Sequence, residues 1–178
     1  MRVFDKNKIT DIFFDLDHTL WDFEKNSELT FEKIFMLLKI KISLSDFLRI
    51  YSPINHKFWK LYRDNKISRN QLRFDRLKLT FVELNIKIDD DMIIEISEMY
   101  LKYLSDFTLL HKGAFDLLDF LKKKYNLHIL SNGFEDVQKR KIKNSGLYKY
   151  FDNIYTSELV GYKKPNPKIF SIVLNNLN

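Results

Sequence analysis

Two aspartates, Asp15 and Asp17, stand two residues apart in D-L-D-H-T-L, directly after the apolar run I-T-D-I-F-F. Like charges held that close are costly unless a cation or phosphate chemistry uses them. Ser131 and Asn132 precede Gly133 just after H-I-L. At a strand-to-helix junction a hydroxyl, an amide and flexible backbone can donate several hydrogen bonds to an anion. Lys163 and Lys164 precede Pro165-Asn166-Pro167. Pro167 suits the first turn of a helix, so a lysine is held before it on stiff backbone. Each feature alone also has a plain reading: a capped turn, a simple turn, a solvated loop. Together they lie beyond the carboxyl ends of successive expected strands, where open α/β sheets bind ligands. A carboxylate pair, a hydroxyl and a lysine form the set that phosphoryl transfer needs: nucleophile, proton donor, and fixed positive and hydrogen-bonding groups.

The elements that must position these residues follow from periodicity. Residues 9–14 read as a strand buried on both faces, because no polar alternation interrupts Ile12-Phe13-Phe14. Residues 24–107 switch to helical spacing, seen in Phe47, Tyr51, Ile54, Phe58 and Tyr62. A helix is expected from a cap at Ser68 to about Leu84, and another from Asp89-Asp90-Asp91, whose carboxylates favour a helix N-terminus. After Gly113 the chain alternates: helix 114–125, strand 127–130, helix 136–144, strand 153–156, helix 167–177. That rhythm predicts an α/β fold with a parallel sheet, the helical stretch being inserted after the first strand.

Composition narrows the class. The 178 residues are 45% hydrophobic and 30% charged, which is globular and not disordered composition. Four glycines and three prolines are too few for a many-turned sandwich, and the lack of cysteine excludes disulfides, thiolate nucleophiles and zinc–thiolate sites. No apolar run approaches the ~18 residues of a membrane helix. The N-terminus shows no apolar core of an export signal, so a cytoplasmic location is expected. The net charge of +6 is local: residues 57–78 hold eight basic residues against Asp64 and Asp75, and elsewhere 22 basic and 22 acidic residues cancel. Such a segment either steers an anionic substrate or is a solvated helix face.

The motifs Asp15-Leu16-Asp17-His18-Thr19-Leu20, Ser131-Asn132-Gly133 and Lys164-Pro165, in that order, resemble motifs one to three of the haloacid dehalogenase superfamily of phosphohydrolases. With F-F-D-L-D-H-T-L-W-D-F-E-K-N-S, S-N-G-F and V-G-Y-K-K-P-N-P-K-I-F, the chain is most similar to the branch of pyrimidine-type 5′-nucleotidases. The resemblance implies a Rossmann-like core, residues 1–21 and 108–178, with an all-helical cap of the C1 type at residues 22–107. It implies Asp15 as nucleophile and Mg²⁺ ligand, and Asp17 as general acid/base whose main-chain carbonyl also binds Mg²⁺. Thr19 would support the first-motif loop at the phosphate site. Ser131 and the Asn132 backbone would clamp phosphate, and Lys164, which directly precedes the proline, would neutralise nucleophile and phosphate. His18 is left outside the site. The family's fourth motif, an acidic cluster completing the Mg²⁺ site, is not in the sequence. A chain truncated before that motif is therefore expected.

The function so implied is a Mg²⁺-dependent phosphomonoesterase acting on a small phosphorylated metabolite, foremost a nucleoside 5′-monophosphate. A phosphomutase, or a binding protein lacking activity, remains open, whereas Asp17 speaks against a carbon–halogen hydrolase, which has no alkoxide to protonate. Trp21 or Trp59 is a candidate to stack on a base. Neither a membrane nor a nucleic acid is expected as a partner, and a monomer is favoured.

Overall fold

β1 (Asp11–Phe14), β2 (Asn126–Ser131) and β3 (Asn153–Thr156) form a parallel sheet in that spatial order. The register sets Ile12 beside Leu127, Phe14 beside Ile129 and Ser131 beside Thr156. The computed structural model describes residues 9–177; residues 1–8, which hold most of the N-terminus read above for an export signal, and Asn178 lie outside them. Two units divide the chain: one from the residues up to Glu24 and from Thr108 onward, the other Lys25–Phe107.

In the first unit, β2 is buried from Leu127 to Ser131. β1 is only half-buried along its length, against the expectation of burial on both faces. Among the described residues it pairs with β2 alone, so one long side lacks a neighbouring strand. The buried His128 crosses the sheet: the Asn153 amide sits 3.1 Å from its Nδ1, and its Nε2 lies 2.8 Å from Asp11 Oδ1. An amide N–H can only donate, so Nδ1 accepts and Nε2–H donates, which leaves no ring nitrogen unpaired.

Helices α5 (Ala114–Leu121), α6 (Glu135–Asn144), α7 (Ser157–Val160) and α8 (Pro167–Asn175) complete this unit. The first and last are shorter than expected, and α7 was not legible at all. α8 opens with Pro167 in its first turn and Asn166 as cap, its Oδ1 accepting the Lys168 N–H. α6 carries Glu135 and Asp136 at its start and Lys141 and Lys143 at its end, matching the helix dipole. Leu130 and Tyr155 of the sheet pack on Ile169 and Val173 of α8.

The regular structure of the second unit is helical among the described residues, running from within α1 (Phe23–Leu37) through α2 (Leu44–Arg63) and α3 (Arg69–Glu83) to α4 (Asp90–Tyr103). Ser68 and Gln71 form a reciprocal capping box on α3, and Asp89 caps α4. Phe31 lies at the centre of an aromatic cluster, its ring 4.7–4.8 Å from those of Phe47, Tyr51 and Tyr100. Arg76 is buried here without a carboxylate partner among the described residues. Asn55 Oδ1 accepts from its Nη1 at 2.7 Å, and its Nε has no partner. Within the basic segment Arg76 is internal, while Lys60 and Lys78 are exposed and pair with Asp64 and Asp90. No described helix is long and apolar enough to cross a membrane.

Candidate active site

The loop after β1 is wound around one carbonyl. Leu16 O accepts the N–H groups of Thr19, Leu20 and Trp21, while the N–H of His18, in the left-handed region at φ 62°, donates to Trp21 O. This winding sets Asp15 and Asp17 at fixed places on either side of the fully buried Leu16. Asp15 is half exposed: Oδ1 accepts the Leu16 N–H at 2.9 Å, and Oδ2 meets Lys164 Nζ at 2.9 Å. Lys164 Nζ also donates to Leu130 O at 2.6 Å, which anchors the ammonium to the end of β2. Lys163, the neighbouring lysine, instead feels Glu158, and its partial burial pushes its ammonium below the ordinary lysine value.

Asn132 secures Lys164 from behind. Its Oδ1 accepts the Lys164 N–H at 2.8 Å and its Nδ2 donates to the Lys164 carbonyl at 2.9 Å. The side chain is spent on this bracket, and the backbone of Asn132 is what remains to face an anion. Ser131 Oγ accepts from Gly133 N–H at 3.1 Å and from Gln138 Nε2 at 2.6 Å. Both partners are donors, so the serine hydroxyl hydrogen remains to be donated. Thr19 is not drawn into this cluster: it is exposed, and its hydroxyl makes no hydrogen bond among the described residues. Trp21 is not available to stack on a base either. It is fully buried, its ring 6.2 Å from Phe23 and its Nε1 unpartnered.

Asp17 meets two residues that the motifs did not announce. Lys141 Nζ lies 2.7 Å from Oδ1, and Gln138 Nε2 donates to Oδ2 at 2.8 Å. The Lys141 side chain is 2% exposed and lies against aromatic faces, 4.0 Å from the Trp21 ring centre and 5.1 Å from that of Phe23. Burial pushes its ammonium below the ordinary lysine value, and the Asp17 carboxylate opposes that shift. A signal was present in V-Q-K-R-K-I: Gln138 and Lys141 share the buried face of α6 with Val137 and Ile142.

The donor set fits a hard divalent cation such as Mg²⁺, which prefers oxygen ligands. The half-exposed Asp15 carboxylate offers such an oxygen. The Asp17 side-chain oxygens meet Lys141 and Gln138, and the ligand that the resemblance implies from that residue is its main-chain carbonyl.

The family model described as "haloacid dehalogenase-like hydrolase" matches residues 11–178, and the chain belongs to that family of hydrolases. It is 27% identical over 166 residues to the HAD-hydrolase YfnB of Bacillus subtilis, covering 93% of this chain and 69% of that one. It is 29% identical over 163 residues to the pyrimidine 5′-nucleotidase YjjG of Escherichia coli, covering 92% and 69%. To the pyrimidine 5′-nucleotidase PynA of Streptococcus pneumoniae it is 30% identical over 158 residues, covering 87% and 64%. The crystal structure of YfnB bound to magnesium matches 94% of this chain and 73% of its own, with a TM-score of 0.84. The L-2-haloacid dehalogenase Rha0230, 16% identical, shares the fold at a TM-score of 0.76 over 95% of this chain and 69% of its own.

Proposed function

We propose that the chain is a Mg²⁺-dependent phosphomonoesterase that works through an aspartyl-phosphate on Asp15, with nucleoside 5′-monophosphates as its substrates. One observation carries the reading: two aspartates in a single loop are held by different cations, Asp15 by Lys164 and Asp17 by Lys141. Identical side chains in different settings can take different roles, one attacking and one exchanging protons. An Asp15 oxygen bonds to phosphorus, the bond from phosphorus to the ester oxygen breaks, and Asp17 gives its proton to the departing alkoxide. Water then attacks the phosphoenzyme, its proton returns to Asp17, and the Asp15–phosphorus bond breaks. Ser131 and the Asn132 backbone donate to the phosphoryl oxygens, while Lys164 offsets the charge that gathers there.

The Asp15 carboxylate and the Asp17 main-chain carbonyl would hold Mg²⁺, which supplies further positive charge at the phosphoryl group. The nucleotide assignment draws on similarity to the two pyrimidine 5′-nucleotidases. We place the enzyme in the cytoplasm as a monomer acting on small dissolved metabolites, with Lys25–Phe107 as its cap. A screen of phosphate esters with Mg²⁺ tests the reading. Preference for nucleoside monophosphates is the expected result, and clear preference for a sugar phosphate rejects that substrate class.

A further inference from the structure

Resting on that reading, we propose that Lys141 is a positioning residue for the proposed acid, fixing the Asp17 carboxylate so that it addresses the leaving oxygen. A carboxylate on a loop can rotate about its side-chain bonds, and a single hydrogen bond leaves one oxygen free to choose another partner. Here each oxygen has one fixed partner, and the remaining lone pair carries the proton exchanged with the leaving oxygen. Lys141 holds Oδ1 at 2.7 Å, and Gln138 holds Oδ2 at 2.8 Å. The two grips come from residues one turn apart on the same face of α6. Trp21 and Phe23 wall the ammonium in, and its side chain is almost wholly removed from solvent. Placing a lysine there costs desolvation, which the bond to Asp17 offsets. A surface lysine of α6 such as Lys139, exposed and paired with Glu135, carries no such cost.

Gln138 extends the grip to the phosphate side. The same Nε2 that holds Asp17 also donates to Ser131 Oγ at 2.6 Å, so acid and clamp are set from one amide. Lys141 touches the acid and not the clamp. Its removal should therefore disturb proton donation while leaving substrate binding and attack intact. Misplacing a reacting group by about 1 Å costs on the order of 10²-fold.

The test compares an ester that needs a proton on its leaving oxygen with one that does not. Uridine 5′-monophosphate and p-nitrophenyl phosphate serve, each with saturating Mg²⁺. Lys141→Met should lower kcat for the nucleotide by roughly 10²-fold, leave p-nitrophenyl phosphate within about threefold, and leave KM for both unchanged. Asp17→Asn is the reference and should discriminate in the same sense. A uniform loss on both esters, or no loss, in a Lys141→Met protein that melts cooperatively would overturn the inference. Should that variant not fold, the same comparison on Lys141→Gln decides, since it removes the ammonium and leaves the Gln138 contact to Ser131 in place. If Asp17→Asn does not discriminate, the acid assignment itself fails. If it does and Lys141→Met does not, only the inference fails. A parent that turns over neither ester overturns the phosphatase reading and this inference with it.

Discussion

Asn132 and Lys164 are joined twice, side chain to main chain: the Asn132 amide accepts the Lys164 N–H at 2.8 Å and donates to its carbonyl at 2.9 Å. The lysine that meets Asp15 is thus aimed by a residue from a different strand end. Asn132→Ala should lower turnover on the order of tenfold, the equivalent of one to two lost neutral hydrogen bonds. Thermal stability should change much less. Steady-state kinetics with a melting curve checks this, and unchanged turnover would show that Lys164 holds its place without the bracket.

Asp15→Asn should abolish phosphatase activity, because an amide is neither a nucleophile nor an anionic ligand. Asp17→Asn should slow turnover about 10²–10⁴-fold, the usual cost of lost acid–base catalysis. Acid-quenched labelling with a good leaving group should then trap phosphoenzyme in the Asp17 variant and none in the Asp15 variant. Asp15→Asn activity within tenfold of the parent would reject the nucleophile assignment.

Gly133 is required by proximity. A Cβ there would stand 2.5 Å from Gln138 Cδ and 2.6 Å from its Nε2. Gln138 cannot move aside without releasing Asp17 or Ser131. Gly133→Ala should therefore cost roughly 10²-fold in kcat/KM through displaced groups while the fold survives. Kinetics beside circular dichroism checks it, and parental activity would show that the amide has a second resting place.

In the helical unit, Arg76 is a buried cation whose one side-chain hydrogen bond among the described residues is to neutral Asn55, beside the faces of Tyr100 and Tyr51. Removing Asn55 takes a hydrogen bond from a buried cation, whereas removing the cation does not. Asn55→Leu should destabilise the protein by about 1.5–3 kcal/mol, whereas Arg76→Met should be neutral or stabilising. Urea unfolding of both variants gives the ordering, and the reverse order would refute this account.

Acid should weaken the first unit. Lys122 holds the Asp152 carboxyl below its ordinary value, with the Leu127 N–H assisting, and Asp11 is lowered by the Thr10 hydroxyl and then by His128. Carboxylates depressed in the folded state contribute stability above the unfolded value of about 4, and that contribution is lost as pH falls through the folded values. The melting temperature should decline below about pH 4, and Asp152→Asn should flatten the decline. An unchanged slope would show that Asp152 is not a contributor.

The strand-end motifs were readable because the chemistry is compressed into a few adjacent residues: Asp15 and Asp17, Ser131 and Asn132, Lys164. The order of helices and strands followed from Ser68, Asp89 and Pro167 at their starts. Lys141 was hidden among Lys139, Arg140 and Lys143, since composition does not separate an internal lysine from its solvated neighbours. Only its place on the stripe of Val137 and Ile142 marks it. Trp21 misled for the opposite reason. An aromatic beside a catalytic motif suggests a stacking face, yet its apolar area is spent walling in an ammonium. β1 read as buried on both faces because strand composition does not report what covers each face.

One helix, α6, grips Asp17 through two side chains and reaches Ser131 through one of them. In engineering terms, the loop at residues 15–17 and residues 131–144 form one mechanical unit. A graft of either piece alone into a relative would carry a lysine without its acid or an acid without its lysine. Leaving-group preference should therefore travel between relatives only when both pieces move together, even though over a hundred residues separate them in the chain.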